Sequence, residues 1–299
     1  MSSSQADAAI QAVAISIAHE ARDPLGERIS RGVVYLWAAF LVIIVGLAVG
    51  GAALAPYEPT AQDVISRLLP PLEASRRGFH LLGTDPLGRD LLSAVIAGTR
   101  LTLFIGVVGT AIGLVIGVAV GLAAGYYGGL VDRLAMRLTE GQTAMPMFLV
   151  AIFLLTVFGP TVFNVIIILP TLVWPVFARL VRAETLRLRG STFVEAAVAT
   201  GCTDRSILWS HILPNVAPRI AVLTVIEIGH VMLAEAGLSF LGIGVQPPDT
   251  TWGLLIARGR QYLQVAWWLA IMPGVFLGLT VLALNMLSRR FADVSGAAA

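Results

Sequence analysis

Between Glu140 and Arg179, and again between Arg100 and Asp132, the chain runs without a single charged side chain. Stretches of this kind fit the interior of a bilayer, where a crossing helix needs about 20 apolar residues at about 1.5 Å of rise each. The run after Glu140 is far too long for one crossing of a ~30 Å hydrocarbon core, so it must fold back. Gly159-Pro160, near its middle, supplies the break and predicts spans over about 141 to 158 and 162 to 183. Three more apolar runs complete the pattern. Val33 to Ala55 has no small-residue cleavage site after it and reads as an uncleaved first span. The fifth covers about Pro218 to Gly242, and the sixth runs from about Val265 to Leu287, opened by the interfacial pair Trp267 and Trp268. The expectation is an all-α membrane protein of six transmembrane helices. Composition agrees: 57% of the residues are hydrophobic and 13% charged, against roughly 25% charged in a soluble domain.

An even number of crossings leaves both termini on one side, and arginine decides which. Arg22, Arg28 and Arg31, the pair Arg133 and Arg137, the group Arg182, Arg187, Arg189, Arg205 and Arg219, and the pair Arg289 and Arg290 fall together. The opposite side holds fewer, so the positive-inside rule makes both termini cytoplasmic. The organisation expected is a cytoplasmic tail over 1–31, a first helix with its external segment over 32–99, a five-helix core over 100–290 and a cytoplasmic tail over 291–299. Inside the core, the loop 186–214 is cytoplasmic.

Several chemistries are excluded. All 20 basic residues are arginine, so no Schiff base and no phosphate-loop lysine can form. The single Cys202 rules out an internal disulfide, and His19, His80, His211 and His230 are too scattered for a standard zinc site, so no metal is expected. The formal charge is only +2 and the arginines lie between apolar spans, which argues against nucleic acid as a partner. In span two, Gly109, Gly113, Gly117, Gly121 and Gly125 recur every four residues and leave a groove for a neighbouring helix. That neighbour belongs either to this subunit or to a second one.

Span five carries Glu227, His230 and Glu235, and ionisable groups at membrane depth point to a translocation pathway or to polar packing within the bundle. Glu227 and His230 are three apart and can pair. A proton relay would need further acids, and spans one, two, three and six carry none. An intramembrane serine protease built on Ser239 would need a base within hydrogen-bond reach. His230 is nine residues away on the same helix, about 13 Å of rise.

The loop 186–214 holds the remaining information. Thr192 and Glu195 form a capping box that opens a short helix, and Gly201 is placed to end it. Asp204 can cap a second short helix that must stop before Pro214. Both expose apolar surface outside the membrane, which suits docking into another protein's groove or lying on the membrane surface.

The same loop resembles a known family. Glu195-Ala196-Ala197, then Gly201, then His211-Ile212-Leu213-Pro214-Asn215 is similar to the Glu-Ala-Ala loop of permease subunits of bacterial ATP-binding-cassette importers, with His211 at a position usually held by Ile. Leu82-Gly83-Thr84-Asp85-Pro86-Leu87-Gly88-Arg89-Asp90-Leu91-Leu92-Ser93 and Glu235-Ala236-Gly237-Leu238-Ser239-Phe240-Leu241-Gly242, continuing through Gln246-Pro247-Pro248 to Trp252-Gly253, resemble the C-type permeases of dipeptide, oligopeptide and nickel importers. After Asn285 the sequence departs from that pattern: Met286-Leu287-Ser288-Arg289-Arg290 stands where Leu-Leu-Gly-Asp is usual.

The resemblance implies a type I importer permease fold with cytoplasmic coupling helices, in the inner or plasma membrane of a bacterium or archaeon. It implies a B-type permease as partner, two ATPase subunits or domains that carry the ATP and Mg, and an external solute-binding protein. The chain itself would bind no cofactor and catalyse no reaction. Thr192, Glu195, Ala196, Ala197, Gly201, Asp204, Leu213 and Pro214 would couple to the ATPase. Asp85, Arg89, Asp90, Gln246, Asp249 and Trp252 would meet the binding protein. A di- or oligopeptide is the implied cargo, with nickel chelates, glutathione and oligosaccharides as alternatives.

Overall fold

The computed structural model describes residues 24–75 and 78–294. Its described residues include five helices long and apolar enough to cross a membrane, or six crossings if one sharply bent helix pair counts as a span. Helix α1 (Pro24–Gly50) starts before the expected tail boundary at 31, and its apolar part is Gly32–Gly50. It lies on the outside of the bundle, anchored through the buried Ile44 while Val42, Ile43, Val45 and Val49 stay exposed.

Helix α2 (Leu91–Tyr127) has 37 residues. At about 1.5 Å each it is roughly 55 Å long and must project beyond a ~30 Å core. It begins well before Arg100, which sequence reading treats as a boundary. Asp90 takes the N-cap, its carboxylate accepting the Ser93 N–H at 2.8 Å. Arg100 is exposed on the helix, where a long side chain can carry its charge toward water.

The expected third span differs most from the sequence reading. Instead of one helix over 141–158, α3 (Gly129–Thr143) and α4 (Met147–Phe158) meet at 84°. Pro146 lies in the joint; it has no N–H and disfavours helical backbone at the residue before it. The Gly159-Pro160 break occurs where expected, with Gly159 at φ +91.

The next crossing is Val162–Arg189, made of α5 (Val162–Ile168) and α6 (Pro170–Arg189), and reaches six residues past the expected end at 183. Pro175 inside α6 cannot donate to the Thr171 carbonyl one turn back. The Gln142 side chain fills the gap: its Nε2 donates to that carbonyl, and its Oε1 accepts the Trp174 indole N–H at 2.7 Å. The end of α3 is thereby clamped to the proline turn of α6.

After α7 (Thr192–Ala199), a turn over Asp204–Ser206 and a π-helical segment over Ile207–Ile212 lead directly into α8 (Leu213–Phe240). No separate second helix stops before Pro214. In the widened turn the Leu213 N–H reaches the Leu208 carbonyl, five residues back. Pro214, having no N–H to place, follows without breaking the helix. Span five is therefore the upper part of a continuous helix rather than a unit starting at Pro218. A short helix α9 (Trp252–Gly259) and the last crossing α10 (Trp268–Val294) complete the chain.

The five glycines of α2 are buried on one face. Gly109 lies against Val231 of α8 and Leu169, and the other four lie against α6. A Cβ on Gly117 would stand 2.5 Å from both Phe177 Cβ and the Trp174 carbonyl; one on Gly121 would be 2.7 Å from the Ala178 carbonyl. The stripe is an intrasubunit seam in which helix backbones approach as closely as small residues allow. One apolar core fills the space between α2, α4, α6 and α8 around Ile105, Phe177 and Val231. A second joins α1, α2, α8, α9 and α10 around Trp252 and Met232.

Candidate functional site

The two ends of the bundle carry the sequence motifs, and they are built differently. At one end α7 sits across the tips of α2, α6 and α8. Val194 and Ala197, one turn apart, point inward and pack with Leu122, Val181, Leu188, Ile207, Ile212 and Val216. Thr192, Glu195, Ala196 and Val198 are exposed on the remaining surface, as are Gly201, Asp204 and Pro214; Leu213 is half-buried.

The start and stop of α7 follow local chemistry. The stop is a Schellman turn at Gly201 (φ +81): the Gly201 N–H bonds the Val198 carbonyl and the Cys202 N–H the Ala197 carbonyl, each at 3.0 Å. The start corrects the expected capping box. Ser191, not Thr192, takes the extended N-cap backbone, and its hydroxyl donates back to the Leu188 carbonyl at 2.5 Å rather than capping forward. Thr192 is thus the first helical residue and Glu195 is left free of a capping role. Asp204 is displaced in the same way. Thr203 caps the turn, accepting the Ser206 N–H at 3.3 Å, while the Asp204 carboxylate accepts the Tyr126 hydroxyl at 2.8 Å. Between α7 and the end of α2 lies a cleft of about 530 Å³, lined by Tyr126, Tyr127, Arg189, Glu195 and Asp204 among others. Tyr126, Arg189 and Ser191 escape a motif search because their role depends on where α2 and α6 end.

Just inside this end, Glu184 of α6 accepts Arg187 and also Arg219 of α8, and Asp132 of α3 accepts Arg182 of α6. These pairs tie α3, α6 and α8 together beneath α7.

At the opposite end most charges of the motif segments are internally satisfied. Asp85 accepts the backbone N–H groups of Leu87 and Arg89, at 2.8 and 2.9 Å, and the Arg89 guanidinium at 2.6 Å. Asp90 is 3% exposed. One of its oxygens caps α2 and the other meets Nδ1 of the buried His80 at 2.9 Å. His80 stands at the end of the small antiparallel pair β1 (Glu73–Ser75) and β2 (Gly78–His80), its ring 4.9 Å from that of Tyr57. Trp252 is 0% exposed, its indole N–H donating to the Val95 carbonyl at 2.9 Å and its own N–H to Thr102 Oγ1 at 2.9 Å. The expectation that Asp90 and Trp252 meet an external protein is therefore corrected: buried side chains hold α2 and α9 in place. Asp249 is exposed, Gln246 is half-buried with its amide turned onto the Gly242 and Gly244 carbonyls, and the Asp85–Arg89 pair is partly exposed.

The three ionisable residues of span five do not converge. Glu235 is 1% exposed; one oxygen accepts Ser239 at 2.7 Å and Thr251 at 2.9 Å, the other has no hydrogen-bond partner among the described residues. It joins α8 to the first turn of α9, and Ser239, buried and donating to it, is hydrogen-bonded to no histidine among the described residues. Glu227 is buried under His230, whose Nδ1 is 3.3 Å away and whose side chain is 58% exposed. Among the three, His230 alone presents a polar group to the surface of the subunit.

Known proteins resemble this chain along much of its length. The profile of the family described as binding-protein-dependent transport system inner membrane component matches residues 113–297. A protein of Brucella suis biovar 1, whose name describes it as a peptide transport system permease, is 40% identical over 260 residues, covering 85% of this chain and 84% of its own. The oligopeptide transport system permease protein OppC of Haemophilus influenzae is 37% identical, covering 79% of this chain and 75% of that one. The glutathione transport system permease protein GsiD of Escherichia coli O1:K1 is 37% identical, with 86% and 83% covered. Among solved structures, an inward-facing MetNI methionine ABC transporter chain superposes with a TM-score of 0.56 over 68% of this chain and 97% of that chain, at 20% identity.

Proposed function

Because the chain belongs to the family of binding-protein-dependent transport system inner membrane components, we propose that it forms half of the translocation pathway of an importer for di- or oligopeptides, driven by partner ATPases through α7. The observation that carries this reading is the seating of α7. Its inner face is packed into the tips of α2, α6 and α8, while Thr192, Glu195, Ala196 and Val198 are left exposed beyond the bundle. A helix held in this way can enter a groove on an ATPase and pass its displacement to three crossings at once. ATP and Mg remain with the ATPase subunits, which toggle the permease pair between inward-open and outward-open states.

The end with α7 is then cytoplasmic, as are both termini, and the end with β1, β2 and α9 faces the solute-binding protein. A second permease, of the B type, completes the pathway. The exposed His230 and its buried partner Glu227 support this, because a polar surface at membrane depth needs water or protein against it rather than lipid. Peptide cargo rests on the relatives, whose names describe transport of peptides, oligopeptides and glutathione.

Glu195→Arg tests the coupling directly. In reconstituted vesicles containing the assembled importer, the variant is expected to insert and assemble with the second permease but to lose at least about tenfold in ATP-driven uptake, a change of about 1.4 kcal/mol in the coupled step. Uptake equal to wild type would remove α7 from the coupling role.

A further inference from the structure

The end opposite α7 contains a cleft of about 520 Å³ between the Asp85–Arg89 loop, the end of α8, and α9 with the turn after it. Three guanidinium groups line it, those of Arg89, Arg258 and Arg260, against the single carboxylate of Asp85. Two are already engaged. Arg89 is paired with Asp85 at 2.6 Å, and Arg260 donates to the Phe240 carbonyl at 3.0 Å with its guanidinium carbon 4.8 Å from the centre of the Phe240 ring. Arg258 is half-buried in the last turn of α9, and its guanidinium has neither an ion pair nor a hydrogen bond among the described residues. Burial and the neighbouring Arg89 guanidinium pull its ionisation below the ordinary arginine value, with Asp85 opposing. A partly desolvated cation beside two others, with no counter-charge of its own, is stabilised by any anion that can enter the cleft.

We propose that the Arg258 cleft is the receptor for an acidic side chain of the solute-binding protein, an Asp or Glu carboxylate inserted between Arg258, Arg89 and Arg260. Planar guanidinium groups match a carboxylate two donors at a time. The groove floor formed by Leu254, Leu255 and Leu269 suits the methylene stem of such a side chain. Docking is thereby read by Arg258, not by the buried Asp90 and Trp252. The same cleft reports docking to the spans, because α9 is fastened to α8 through Thr251 and Glu235 and to α2 through Trp252.

This inference rests on the importer reading, and its test separates the two. The complete complex is reconstituted in nanodiscs of defined lipid, and its ATPase rate is titrated with the solute-binding protein that cross-links to it. Arg258→Gln and Arg258→Glu are compared with Arg100→Gln, an exposed arginine at the same end but outside the cleft. Arg258→Gln should raise the half-stimulating concentration of binding protein about tenfold and flatten its salt dependence, and Arg258→Glu should raise it further, both reaching the wild-type maximal rate. Arg100→Gln should shift it less than twofold. An unchanged half-stimulating concentration for both Arg258 variants, or an equal shift from Arg100→Gln, would overturn the cleft as the receptor. So would an effect seen only as a raised substrate requirement at saturating binding protein, or only when anionic lipid is present, since the anion would then be substrate or headgroup. A wild-type complex that the binding protein fails to stimulate at all would overturn the importer reading itself, and this inference with it.

Discussion

The two ends of the bundle use polar residues in opposite ways. At the end with β1, β2 and α9, Asp85, Asp90, His80, Gln246 and Trp252 bond to one another and to the backbone, so their charges and donors are satisfied before any partner arrives. At the end with α7, Glu195 and the apolar residues beside it stand exposed, and only Val194 and Ala197 are committed inward. One end is a frame that sets the angle of α9 and the start of α2. The other is a surface left open to a partner. Motif-rich segments thus mark an open surface at one end and architecture at the other, and Arg258, which belongs to no recognised motif, is a cation left without an ion pair within the frame among the described residues.

Substitutions can break this contrast. The largest loss of stability is expected from Trp252→Ala, which empties the second core and removes the indole donor to the Val95 carbonyl, at a cost of about 3–5 kcal/mol. Thermal unfolding in mild detergent should show it as a large drop, whereas Trp209→Ala at the α7 end, where the side chain is 61% exposed, should change stability by no more than about 0.5 kcal/mol. Equal losses would erase the distinction between frame and surface.

Asp90→Ala comes next, removing the cap of α2 and the partner of buried His80 together, for about 2 kcal/mol. The same unfolding assay checks it, and hydrogen exchange should show the first turn of α2 loosening before the rest of the helix. Gln142→Leu is smaller, about 1–2 kcal/mol, because it leaves the Thr171 carbonyl without a donor in a turn where Pro175 cannot supply one. Glu195→Arg should be smallest in stability, within about 0.5 kcal/mol, while its effect on transport is large. A Glu195→Arg chain that fails to fold would mean that α7 is part of the frame after all.

Helix ends are legible wherever an apolar run meets a glycine or proline break, as at Gly159-Pro160 for a crossing and Gly201 for α7. They were less so where one residue decided between neighbouring positions. Ser191-Thr192 and Thr203-Asp204 each offer two adjacent residues able to cap a helix, and the backbone selected the first of each pair, releasing Glu195 and Asp204 for other contacts. Arg100 looked like a boundary because a charge was read as an end, yet one arginine on an exposed helix face does not stop a helix capped ten residues earlier. The bend between α3 and α4 has a local sign in Pro146 that a charge-free run hides, whereas the clamp from Gln142 depends on a contact across the bundle that no local pattern encodes. The resemblance sets Trp252 among the residues that meet the binding protein, because it lies in a segment between two spans; in the fold that segment carries α9 back into the core.

The most direct test of the account is to purify the intact assembly through this chain, reconstitute it in vesicles and follow labelled peptide uptake with and without ATP and binding protein. The account predicts recovery of a second permease and ATPase subunits with the chain, and uptake that requires both ATP and the binding protein. Recovery of this chain alone, with uptake that survives ATP depletion, would contradict it.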